Sequence, residues 1–67
     1  MCTWDDTYAI VQLLKREYPA VKPEDVSLSM IQKWTISLPE FCDDPDLANE
    51  EILSSILIEW FEEFYEL

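Results

Sequence analysis

Carboxylates are the only side chains in this sequence grouped densely enough to do chemistry. Glu40, Asp43, Asp44 and Asp46 fall within seven residues, and Glu50 and Glu51 follow closely. Such hard oxygen donors suit calcium, magnesium, manganese or ferrous iron. The spacing is not that of an EF-hand, because Asp43-Asp44-Pro45-Asp46 lacks both the glycine and the correctly spaced bidentate glutamate of that loop. An ion held by Glu40, Asp43, Asp44, Asp46 and Glu50 would sit in an exposed, few-liganded and weak site. The plain alternative is a solvated turn whose acids cap the next helix. That alternative accounts for Asp46, Glu50 and Glu51 better than for Glu40, Asp43 and Asp44.

Other chemistry is missing. The chain has no histidine, the commonest general acid–base and transition-metal ligand. Its two cysteines, Cys2 and Cys42, have no imidazole to activate them and no zinc-ligand spacing. They are expected to stay unbridged, with Cys2 on a frayed terminus. The absence of glycine excludes a P-loop and a dinucleotide fingerprint. A paired-carboxylate hydrolase needs a cleft that 67 residues do not build. The chain is therefore expected to be a binding protein with no organic cofactor, not an enzyme.

Charge indicates what it binds. Residues 1–38 carry five acids and four bases, whereas residues 39–67 carry ten acids and no base, for a net charge of −11. This field repels nucleic acid and anionic lipid, and it attracts basic protein patches and metal cations. Solubility alone does not require the removal of every Lys and Arg from one half. The start, Met1-Cys2-Thr3-Trp4-Asp5-Asp6, has no apolar run, and no stretch reaches the ~20 apolar residues of a membrane span. A cytoplasmic monomer is expected.

The elements that position these groups are helices. The length allows one domain, residues 1–67, and the 49% hydrophobic content with nine aromatics supplies a small core. A first helix is predicted over about Asp5–Tyr18, opened by a Thr3-x-x-Asp6 cap. Ile10, Leu13, Leu14 and Tyr18 lie on one face, and Pro19 stops it. Pro23-Glu24-Asp25 predicts a single helical turn, and Val26 and Leu28 alternate as a very short strand would. Ser29-x-x-Gln32 predicts the start of a second helix carrying Ile31, Trp34, Thr35 and Leu38, ended by Pro39. Phe41 is the apolar anchor of the acidic loop. A third helix is predicted over about Leu47–Phe64, N-capped by Asp46 or Asn49, with Ile52, Leu53, Ile56, Leu57, Trp60, Phe61 and Phe64 facing inward. Trp34 and Trp60 are expected in the core, Trp4 half exposed, and Ile58 and Tyr65 off the apolar face. Glu62, Glu63 and Glu66 crowd the negative end of the helix dipole, against the usual preference.

The order of these residues resembles a known family. Trp4-Asp5-Asp6, Tyr18-Pro19, Pro23-x-x-Val26, Trp34, Leu38-x-x-Phe41, Asp43-Asp44-Pro45, Asn49-Glu50, Ile52-Leu53-x-x-Ile56-Leu57 and Trp60 are similar, in order and spacing, to the IscX (YfhJ) family. Its members are small acidic accessory proteins of iron–sulfur cluster assembly. The resemblance implies a mainly α, three-helix domain resembling a modified winged helix. It also implies docking on the cysteine desulfurase that supplies sulfur, and weak binding of ferrous iron through acidic surface residues. The sequence departs from the family where Cys42 replaces the first of three consecutive aspartates and where Gln32 replaces the histidine of some relatives.

The favoured expectation is an adaptor that docks by its acidic surface, with Asp43, Asp44, Glu40 and Glu50 as principal contacts and Asp5 and Asp6 as secondary ones. One alternative is a weak ferrous iron carrier. Another is an acidic interaction module with no metal role.

Overall fold

The computed structural model describes Met1–Leu67. Its elements are α1 (Thr7–Glu17), a 3₁₀ turn (Pro23–Asp25), α2 (Leu28–Ile36), a second 3₁₀ turn (Pro45–Leu47) and α3 (Glu50–Tyr65). The fold is mainly α. The winged-helix resemblance finds no counterpart, because there is no strand pair to form a wing. The only β pairing is an isolated parallel bridge between Cys2 and Phe41. Val26 is extended at the C-terminal end of the first 3₁₀ turn, and Leu28 is already the first residue of α2, so the short strand expected there is absent.

α2 and α3 start where a side chain satisfies a free backbone N–H group, and not where the sequence suggested for α2. For α2 the cap is Ser27, whose Oγ accepts from Met30 N at 3.1 Å. The Met30 sulfur accepts from Ser27 N in return, taking the place a Glu or Gln holds in the usual capping box. Ser29 and Gln32 are thus inside the helix. α3 is capped by Asn49, whose Oδ1 accepts from Ile52 N at 2.8 Å. Leu47 belongs instead to the preceding 3₁₀ turn, capped by Asp44, whose Oδ1 accepts from Asp46 N at 2.9 Å. α1 begins at Thr7. Asp6 turns backward and accepts from Thr3 N at 3.0 Å, so the Thr3-x-x-Asp6 pair closes the turn ahead of the helix and does not cap it.

The three helices enclose one core. Ile10, Val11 and Leu14 of α1, Ile31 of α2, and Leu53, Ile56 and Trp60 of α3 are all buried, with Cys2, Trp4, Val26 and Leu38 closing the ends. Burying a large apolar side chain stabilises by roughly 1.5–3 kcal/mol, so this set is the main force holding the fold. Trp60 is fully buried, and Trp34, half-buried, stacks on Tyr18 with centroids 4.1 Å apart. Trp4 is buried, not half exposed, and Cys2 is buried, not frayed. Both are fixed by the acidic loop. Cys2 N donates to Glu40 O and Cys42 N donates to Cys2 O, each at 2.8 Å. The Trp4 and Phe41 rings meet edge to face at 4.7 Å, which places Phe41 as the loop's anchor. Burial raises the Cys2 thiol pKa, and Cys42 is exposed; neither is in a disulfide.

Candidate functional site

The acidic loop is held to the body by the same carboxylates that looked available as ligands. Asp43 Oδ2 accepts from Trp4 N at 3.1 Å, and its Oδ1 accepts from Asp44 N at 2.8 Å. Asp44 O accepts from the Trp4 indole Nε1 at 2.9 Å. The loop is therefore shaped around the start of the chain, with Asp43 pointing inward and half-buried. Glu40 is engaged by α1: Arg16 spans both of its oxygens, at 2.7 and 3.2 Å. That fork holds the Glu40 carboxyl below its ordinary pKa and raises the guanidinium's.

Other carboxylates of the N-terminal segment and the acidic loop are less engaged. Asp5, Asp44, Asp46 and Glu50 are exposed, and only Asp44 among them has a side-chain hydrogen bond, the single cap to Asp46 N. Asp5 lines a shallow depression with Trp4, Thr7, Asn49, Glu51, Ile52 and Ser55. Asp44, Asp46, Glu50 and Glu51 run along the segment that leads into the N-terminus of α3, where the helix dipole favours negative charge. Of the residues expected as a shared surface, Asp5, Asp44, Asp46 and Glu50 are exposed, and their carboxylates bind no side chain of another segment. Asp6 is occupied by Thr3, Asp43 by two backbone N–H groups and Glu40 by Arg16.

Two residues belong to this picture that were not among the expected site residues. Glu51 joins Asp5 in the depression; its position in the first turn of α3 beside Glu50 was the available signal. Arg16 removes Glu40 from the free surface, across a separation that carries no local signature. At the other end of α3, Glu63 accepts from Gln12 Nε2 at 2.7 Å and lies 3.8 Å from Lys15 Nζ. This explains how one of the C-terminal acids is tolerated.

The donor set does not assemble around a common point for ferrous iron. No three Cys, Asp or Glu side chains converge closely enough to hold a metal ion. Glu40, Asp43, Asp44, Asp46 and Glu50 do not form a cage, and three of them, Glu40, Asp43 and Asp44, already accept from protein donors. The residues do not fit a resident ion.

No helix is long and apolar enough to cross a membrane. Comparison with known proteins places the arrangement. A family model described as iron-sulphur cluster assembly matches residues 2–65. A Pseudomonas aeruginosa protein named uncharacterized protein PA3808 is 37% identical over 60 residues, covering 90% of this chain and 91% of its own length. The matched range contains all three helices and the whole acidic loop, so the chain belongs to the iron–sulphur cluster assembly family, the IscX (YfhJ) family, and has a role in assembling such clusters.

Proposed function

We propose that this protein is a non-catalytic accessory factor that docks on the cysteine desulfurase of the assembly machinery and tunes sulfur transfer. The docking surface is the acidic end: Asp5, Asp44, Asp46 and Glu50, with Glu51 beside them. The observation that carries this reading is the division among the carboxylates. Glu40 and Asp43 build the loop, whereas Asp5, Asp44, Asp46 and Glu50 are exposed, their carboxylates unengaged by other side chains. Free, like-charged carboxylates held close together repel one another, and a Lys/Arg patch on a partner relieves that repulsion. Such contacts steer association and weaken with salt.

The surface offers neither a nucleophile beside a base nor a shielded cavity, so its contribution is steric and electrostatic. A docked body of this size beside the enzyme's mobile sulfur carrier would limit where that carrier travels. Ferrous iron enters only as cargo met by exposed carboxylates, and no step is routed through it. Calorimetric titration of the protein into purified cysteine desulfurase, at low and high salt and with and without ferrous iron, tests the reading. Salt-sensitive binding that survives without iron supports it. Absence of binding while the protein alone takes up iron favours the carrier alternative.

A further inference from the structure

The acidic end does not account for the outer face of α3. Ser54, Ile58, Phe61 and Tyr65 recur at i, i+4, i+7 and i+11, the spacing of one helix stripe. Ile58 is 59% exposed and Tyr65 44%, with Phe61 half-buried between them. The stripe is ordered by its own contacts. The Phe61 and Tyr65 rings stack at 6.2 Å, and Phe64 meets Tyr65 edge to face at 4.9 Å. The Tyr65 hydroxyl donates to the Glu24 carboxylate on the first 3₁₀ turn, which fixes the ring at the end of the stripe.

The rim is acidic. Glu51 and Glu62 follow the stripe's outer edge by helical spacing, and Glu24 closes its end. The stripe's own half of the chain contributes no Lys or Arg. Lys15 and Arg16 are turned to Glu63 and Glu40, and Lys22 is the one base close to Glu24. An exposed isoleucine and an exposed tyrosine on one stripe gain nothing for solubility, and an apolar stripe edged by one sign of charge is the complement of a basic amphipathic helix.

We propose that Ile58, Phe61 and Tyr65 form a docking surface for an amphipathic helix of a partner protein. The partner's apolar side would cover the stripe, and its flanking Lys and Arg would face Glu51, Glu62 and Glu24. A second copy of this chain is a poor occupant, since it would bring two acidic rims together, each on a molecule of net charge −11. The surface borders the acidic end at Glu51 and does not depend on the desulfurase reading.

The test titrates the isotope-labelled full chain with two synthetic Leu/Lys peptides of equal composition, about four helical turns long. One places Leu at amphipathic helical spacing and the other is scrambled. The proposal expects amide shifts centred on residues 54–66 and binding of the amphipathic peptide about tenfold tighter than the scrambled one, a difference of ~1.4 kcal/mol. Ile58→Ser with Tyr65→Ser should erase that preference. Ile58→Glu, at a position with little structural role, should do so alone if the double variant misfolds. Equal affinity for both peptides, no binding, shifts centred on residues 40–51, or self-association through the stripe would each overturn it.

Discussion

Trp4 N donates to Asp43 Oδ2 at 3.1 Å, so one of the aspartates expected as a ligand is a structural acceptor. Asp43→Asn keeps the shape but sets an amide NH₂ against one of two N–H donors. Loss of one such charged acceptor costs about 1–3 kcal/mol. Urea unfolding should show a lower midpoint with an unchanged slope, and Asp46→Asn, which has no such partner, should be neutral.

The Arg16–Glu40 fork sets an acid limit on stability. Glu40's pKa is lowered in the folded state, chiefly by the Arg16 hydrogen bonds. Its contribution is therefore fully present above the unfolded carboxyl's pKa and is lost as pH falls through the lower folded value. Thermal melts from neutral pH downward should show this loss in the acid range, and Arg16→Gln should flatten that part of the curve.

Thr35 Oγ1 is fully buried without a hydrogen-bond partner. Thr35→Val keeps the branched shape and removes the unsatisfied hydroxyl. It should raise stability by about 1 kcal/mol, read as a higher melting temperature.

Glu66 ends α3 in the left-handed region, at φ 56° and ψ 45°, with its N–H and that of Leu67 both reaching Glu62 O. Glycine adopts this conformation without steric penalty, and replacing Glu also removes a negative charge from the negative end of the helix. Glu66→Gly should stabilise by roughly 1 kcal/mol, whereas Asn49→Ala, at the other end, should destabilise by about the same amount. Denaturant midpoints for the two variants should move in opposite directions.

The helices were legible because proline and apolar spacing are local signals. Pro19 and Pro39 bound the first two, and Ile52 to Phe64 trace the third. The helix starts were less legible, since Met30 in a capping role has no recognised pattern and Ser29 supplies a false one. Trp4's burial was invisible because its partners, Asp43 and Asp44, lie far along the chain. The same distance hid the division of the candidate site. A sequence shows that Glu40 and Asp46 are both carboxylates, but not that Arg16 holds only the first. The mainly α, three-helix class was legible, and the structure has no strand pair to set beside the winged-helix resemblance.

The most direct test of the central claim is calorimetric titration into purified cysteine desulfurase of three proteins: the unaltered chain, Glu40→Gln, and a variant carrying Asp5→Lys, Asp46→Lys and Glu50→Lys. Circular dichroism would first establish that all three keep the helical fold. The account predicts iron-independent binding by the first two that weakens steeply with salt, and loss of binding in the charge-reversed variant. Undiminished binding by the charge-reversed protein, or binding indifferent to salt, would contradict it.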